Sequence, residues 1–392
     1  MGVLLLIGIV IFVNNYNGSG IDTANIDTGN IIPVIIPAAD DKISLDSLID
    51  AKSVKYIQLE NNANGLVGRV DKVVVEDNKF FILDELSKGI FIFDKQGKFI
   101  RKIFHLGKKK SEYRIIRDFA VNKYAKEILI FDDFSGKLLH YNYNGDLLGV
   151  EMMDIRFRNI QILSKNVRLL ATMTAKNLTF PEIKDYSFVL QRNMSDIFLK
   201  AFKNSNALMN NPFIEKDHFS WSGKDLIYSP RFKDTIYTID SDGVVKAKYN
   251  FVYRGKMPKG FIDTLTVTTK YQDRIKDFTY FMGIYQEDAN YSVFRLNPPG
   301  YKYAYCFYDK DRNHAYRLDK LYSWDANIFL FSMPVCSYGN QFITPVYGNQ
   351  LVGVIRDVLL ANKYKPLSNE NRAILQQVTA TSNPLLMFYS FK

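Results

Sequence analysis

A strand–loop–strand–turn pattern recurs through this chain at a spacing near fifty residues. A repeat of that length dictates architecture before any other property does. The first copy, "FFILDELSKGIFIFDKQGKFI", runs from Phe80 to Ile100, and "LIFDDFSGKLLHYNYNGDLL" repeats it from Leu129 to Leu148. Asp84 then aligns with Asp132, Ser87 with Ser135 and Gly97 with Gly145. A third copy, "IYSPRFKDTIYTIDSDGVV" (Ile227 to Val245), lies two periods further on and aligns Gly243 with the earlier glycines. The copy between them is weaker and spans "NVRLLATMT" and "YSFVLQRNMSDIFLKAF".

Within each copy, apolar and polar residues alternate with period two, the signature of strands with one face turned to a core. "DKQG", "NYNG" and "DSDG" each end in a glycine, which supplies the positive φ of a tight hairpin turn. The leading Asp or Asn bonds back to the turn backbone. Gly97, Gly145 and Gly243 are therefore read as structural turn residues. Asp84 and Asp132, at strand ends, are read as caps of the loops that follow them. Another apolar run precedes each pair ("GRVDKVVVED", "IIRDFAVN") and another follows ("KFIRKIFHL"). Four antiparallel strands in about fifty residues make one propeller blade. A lone sheet of this composition would leave an apolar face wet, and radial stacking buries both faces.

Blades one to four end near His105, Val150, Phe202 and Tyr253. "FIDTLTVTTKYQDRIKDF" reads as an insertion. Blade five contains "YSVFRL" and "YKYAYCFYDKDRNHAYRL". Blade six contains "NIFLFSM" and "NQFITPVYGNQLVGV", then a helical excursion, "SNENRAILQQVTA", with Ser368 as its N-cap. "SVKYIQLE" (Ser53 to Glu60) and the terminal "PLLMFYSFK" are strands without local partners. Pairing them would close the ring and remove an exposed edge. The fold class is all-β, a six-bladed β-propeller of four-stranded antiparallel blades, with seven blades as the alternative count.

The chain resembles the six-bladed β-propeller proteins of bacterial cell envelopes, many of them lipoproteins, and its first copy is similar to the NHL repeat. The resemblance covers residues 43–392. It implies export to the periplasm or cell envelope. Where that family usually carries a Gly-Pro-Gly-Glu-Tyr-like stretch after its first blade, "GKKKSEY" keeps Gly107, Glu112 and Tyr113 and replaces the middle with lysines. The family's lipid-accepting cysteine has no counterpart.

"VLLLIGIVIFV" (Val3 to Val13) is too short to span a bilayer comfortably and has the length of a signal-peptide core, though it lacks basic residues before it. Residues 1–13 are thus read as a signal-like segment, 14–42 as a linker and 43–392 as the propeller. Membrane association is expected only through the N-terminal segment. Cys306 and Cys336 lie in strand-like runs and are read as buried free thiols.

The net charge of +10 suits an anionic partner or surface. In an up-and-down blade, the loop between strands two and three and the link to the next blade emerge at one end. That places "DELSKG", "DDFSGK", "SPRFKD" and "HLGKKKSEYR" on a single face, where recognition loops on a rigid scaffold belong. The binding candidates are Lys108, Lys109, Lys110, Glu112, Tyr113, Arg114 and Arg231. A run of three lysines is more often a merely solvated loop.

Catalytic constellations are scarce. The four histidines share no blade position and no metal-ligand spacing. Sialidase boxes and G-x-S-x-G elbows are missing, and "DSDG" lacks the oxygen set of a calcium loop. Asp71 and Asp118 lie near positions that a channel-mouth enzyme would use. No cofactor, no metal and no nucleic-acid module is expected. The function expected is a binding or scaffolding module for a glycan, a peptide or an unidentified protein, of anionic character. The alternative is a hydrolase or lyase with its site at the mouth of the central channel.

Overall fold

The computed structural model describes residues 10–13, 20–39, 43–173, 175, 177–193, 195–204, 218–264, 271–300, 303–319, 332–361 and 367–392. Six four-stranded antiparallel sheets form a six-bladed β-propeller. Blade 1 runs from Lys72 to Ile103, blade 2 from Asp118 to Met152, blade 3 from Asn159 to Lys203, blade 4 from Phe219 to Val252 and blade 5 from Tyr280 to Leu318. Blade 6 combines Cys336–Tyr338, Gln341–Val346 and Leu385–Tyr389 with the N-terminal strand Lys55–Gln58. "NIFLFSM" lies mostly outside the described residues.

The period-two pattern is what allows this packing. Phe81, Leu83, Ile90 and Ile92 of blade 1 pack against Phe119, Ile128, Ile130 and Leu139 of blade 2. The alternate residues Phe80, Ile82, Phe91 and Phe93 pack against Ile343, Leu386 and Phe388 of blade 6. Each sheet thus has two dry faces, which an isolated hairpin array could not achieve.

Ring closure joins the two orphan strands. Leu385 pairs with Gln58, Leu386 with Ile57, Met387 with Tyr56 and Phe388 with Lys55, antiparallel. The helix Asn369–Gln377, capped by the Ser368 hydroxyl on Asn371 N–H, lies over this edge. Asn371 accepts from Tyr56 N–H at 3.0 Å and donates to Val54 C=O at 2.7 Å, which satisfies backbone groups the last strand would otherwise leave open.

The stretch 14–42, read as a linker, departs from that reading. Residues 22–23, 26–27 and 32–35 run parallel to the outer strands of blades 3 and 4, and Val10–Val13 runs parallel to the outer strand of blade 2. Val34 and Ile36 are buried while Ile35 is 63% exposed, a strand alternation set among turn-forming residues. Pro33 is tolerated because an edge strand need not donate on its open side.

The tight turns lie at the end opposite the long loops. Gly97, Gly145 and Gly243 have φ of +82°, +81° and +86°. Before each, Asp94, Asn142 or Asp240 accepts backbone N–H groups two and four residues ahead. A Cβ at Gly97 would stand 2.3 Å from the carbonyl oxygen of Gln58, whereas at Gly243 nothing lies closer than 3.3 Å. Gly243→Ala should therefore cost about 1–2 kcal/mol from left-handed strain alone. Gly97→Ala should cost clearly more, because the closing strand must also shift. Urea melts of the two variants test the order, and equal losses would contradict it.

Candidate basic face over blades 1–3

The end that carries the long connections is here called the top. At blade 1, the Asp84 carboxylate accepts from Ser87 N–H at 3.0 Å and from Gly68 N–H at 2.8 Å. At blade 2, Asp132 accepts from the N–H groups of Arg114, Ile115, Phe134 and Ser135. These buried carboxylates are occupied in shaping the loops.

Between blades 1 and 2, the link 107–114 is stapled from below. Tyr113 is fully buried, and its hydroxyl donates to Lys88 C=O at 2.9 Å. Its ring is core, so Tyr113 does not face a ligand, which corrects the expectation placed on it. Glu112 turns inward too: its carboxylate accepts from Lys109 N–H at 2.9 Å and fills the space beside Gly107, where a Cβ would lie 2.0 Å from it. Lys137 reaches up to donate to the carbonyls of Lys109 and Glu112. Lys108, Lys109 and Lys110 are left exposed at the crest. Among the described residues, Lys109 alone of the three has a carboxylate near it, Glu112 at 3.8 Å.

Arg114 lies with its guanidinium 4.5 Å from the centre of the Phe134 ring. Beside it, three arginines from two different links converge on one carboxylate. Arg117, Arg156 and Arg158 approach Asp133 to 3.5, 3.8 and 2.9 Å, each with a partly exposed side chain. Three guanidinium groups thus gather around one carboxylate. The loops between strands two and three also hold large apolar side chains in solvent: Leu86 at 70%, Phe134 at 59% and Leu178 at 78% exposure. Phe104, Leu106 and Ile115 add to them from the link. The top of blades 1–3 is thus both cationic and apolar. Large apolar side chains held in solvent on one face are a usual feature of interaction sites.

Sequence reasoning named the lysine crest, Arg114 and the aspartates but missed Arg117, Arg156, Arg158 and the apolar residues. Arg231 lies next to this face, at the top of blade 4 where it meets blade 3. It sits on blade 4, against the Phe232 ring at 4.8 Å, in a cleft shared with Asn204 and Lys233.

The channel mouth is knitted together. Asp118 lies 2.8 Å from Lys72 Nζ and accepts Ile160 N–H at 2.8 Å, which ties blades 1, 2 and 3. Trp221 Nε1–H donates to Gln161, whose amide donates to Asn159, both at 2.8 Å. Asp71 accepts from Arg69 and from Glu85 N–H. Among the described residues, no three His, Cys, Asp or Glu side chains are grouped to hold a metal ion. Cys306 and Cys336 are both free thiols, the first buried and the second half-buried. No helix among the described residues is long and apolar enough to cross a membrane.

Comparison with known proteins gives the same architecture. A candidate exported protein of Bacteroides fragilis superposes with a TM-score of 0.74 at 17% identity, over 92% of this chain and 99% of that one. A member of the DUF4221 family from Bacteroides vulgatus has a TM-score of 0.47 at 12% identity, over 88% and 99% of the two chains. At 17% identity the likeness to the Bacteroides fragilis protein is one of fold. No curated protein sequence matches the chain. The model of the family described as "Domain of unknown function (DUF4934)" matches residues 31–390, nearly all of the propeller and part of its N-terminal strap, and the chain belongs to that family.

Proposed function

We propose that this protein is an exported binding module that docks an acidic protein partner on the top of blades 1–3. The observation that carries the reading is the coincidence on one face of gathered cationic side chains with solvent-exposed Leu86, Phe134 and Leu178. Charge alone would suit any polyanion. The apolar side chains favour a protein, because protein interfaces bury an apolar centre inside a polar rim. Delivery out of the cytoplasm is supported by the apolar run Val3 to Val13 and by the fold shared with the candidate exported protein.

Two variants test the reading. Lys108, Lys109 and Lys110, all changed to Ser, should leave stability within about ±0.5 kcal/mol, since the side chains touch little. Association with the partner should slow on the order of tenfold at low salt, through lost steering. The difference should fade once salt brings the screening length to about 10 Å or less. Phe134→Ser with Leu178→Ser should instead speed release at any salt. Capture from an envelope extract, followed by kinetics with the captured protein, gives both readouts. Equal capture by parent and both variants would overturn the proposal.

A further inference from the structure

A second, separate place on the top end combines polar groups left without partners. Arg295 lies in the strand Tyr291–Asn297 of blade 5, opposite Tyr305 and beside a bulge in the innermost strand between Phe281 and Tyr285. Bulges of this kind re-aim side chains near functional sites. The Arg295 guanidinium packs 4.3 Å from the centre of the Tyr303 ring. Its Nε is buried without an acceptor, and no carboxylate pairs with it among the described residues. Burial lowers its proton affinity, and the nearby charge of Arg231 on blade 4 lowers it further. A partly buried cation with a like charge for a neighbour has lost hydration without gaining an anion.

Two residues along the strand, on the same face by the period of two, is Asn297. It is buried, and its Nδ2 donates to the Tyr280 hydroxyl at 3.0 Å while Oδ1 has no donor. Whichever way that amide is turned, one of its polar atoms is left over. Tyr303 is 51% exposed, so its ring, covered on one side by Arg295, still offers surface to solvent. One strand end therefore presents an unpaired guanidinium and an open aromatic ring, while the Asn297 amide is closed to solvent. The guanidinium and the ring call for different parts of one ligand. A guanidinium takes a carboxylate in its fork, and an aromatic ring takes the apolar face of a saturated six-membered ring.

We propose that the top end of blade 5 binds an acidic sugar, with Arg295 on its carboxylate and Tyr303 stacked on the sugar ring. The site shares no residue with the basic face over blades 1–3, so the two readings stand or fall separately.

The test is a titration of the full chain with glucuronate, with glucose as the neutral counterpart and sulfate as a bare anion, read by calorimetry and ligand-observed NMR. Glucuronate should bind, and glucose at least tenfold more weakly. Arg295→Gln should weaken glucuronate at least tenfold and leave glucose unchanged, and Arg295→Lys should recover only part of the loss. Tyr303→Ala, at a half-exposed position that should not threaten folding, should weaken glucuronate and spare sulfate. Thermal melts of each variant establish that it is folded. No binding of glucuronate, equal binding of glucose, or undiminished binding by folded Arg295→Gln would overturn the proposal. So would sulfate binding as tight as glucuronate and indifferent to Tyr303→Ala. The lysine-crest variant should keep glucuronate binding, and Arg295→Gln should keep the protein partner.

Discussion

Removal of the last eight residues, Leu385 to Lys392, is expected to abolish cooperative unfolding. Leu385–Tyr389 is buried at every position. It sits in the middle of blade 6, between Gln341–Val346 and Lys55–Gln58. Its loss exposes the ladder groups of both neighbours and leaves Lys55–Gln58 with no strand to pair with. Burying a Leu, Met or Phe side chain stabilises by about 1.5–3 kcal/mol, so the four such side chains of this strand amount to roughly 6–12 kcal/mol. That equals the whole stability of a typical domain, about 5–15 kcal/mol. The damage also spreads around the ring, because Leu386 and Phe388 pack against blade 1 while Leu385, Met387 and Tyr389 form a core with Tyr291, Val293 and Phe307 of blade 5. Circular dichroism melts of parent and truncated chain decide the matter. A truncated chain that melts in one sharp transition near the parent midpoint would show that the closure is dispensable.

How much of this was legible in the sequence depended on which turn residue each blade uses. Blades 1, 2 and 4 announce themselves through Gly97, Gly145 and Gly243. In blade 3 the corresponding connection has Asn193 at φ +49°, and in blade 5 Asn313 at φ +49°. Asn tolerates the left-handed region, so a pattern keyed on glycine loses its signal where the positive φ persists. The edge strands at 22–23, 26–27 and 32–35 were invisible for another reason. They are two to four residues long, and their partners lie well over a hundred residues away. Local periodicity carries no information about such pairings.

The candidate site divides in the same manner. A run of three lysines is visible in any reading. The convergence of Arg117, Arg156 and Arg158 on Asp133 is not, because only the blade topology brings the two links to the loop of blade 2. Tyr113 misled because a tyrosine beside a charge run offers a polar handle. Its neighbours needed that hydroxyl for the carbonyls of Lys88 and Ile103. Arg295 and Asn297 sit in an ordinary alternating strand, and their lack of partners is a property of three-dimensional surroundings alone.

The other large effect expected concerns a buried ion pair between blades 2 and 3. Glu151 is fully buried, and both its oxygens accept from Arg168, at 2.8 and 2.5 Å. Arg168 Nε–H donates to Gln191 at 2.7 Å, which fixes the fork. Burial by itself would raise the Glu151 pKa, but the Arg168 charge and hydrogen bonds override it and hold the carboxyl down to about 2. Removing one partner of such a pair strands the other charge and costs about 3–5 kcal/mol. Arg168→Leu should therefore destabilise by that amount. Arg168→Leu with Glu151→Leu should cost much less than the sum of the two single changes, since no charge is then left buried. The pH dependence follows from the signs. A depressed carboxyl contributes stability that is present above its unfolded value of 4.5 and is lost as pH falls toward 2, on the order of 3 kcal/mol. His140 stands between Glu127 at 3.1 Å and Glu151 at 3.5 Å. Burial opposes its charge, yet the two carboxylates raise its pKa above 6.5. Its contribution is fully present below pH 6.5 and is lost as pH rises through the raised value. The two contributions overlap between about pH 4.5 and 6.5, where this part of the fold should be strongest. Urea melts of parent and Glu151→Gln from pH 2 to 8 provide the measurement. In Glu151→Gln the acid limb should flatten, and the rise of His140 should shrink because one of its two carboxylates is gone. A variant whose stability falls between pH 4.5 and 2 as steeply as that of the parent would show that Glu151 does not carry this limb.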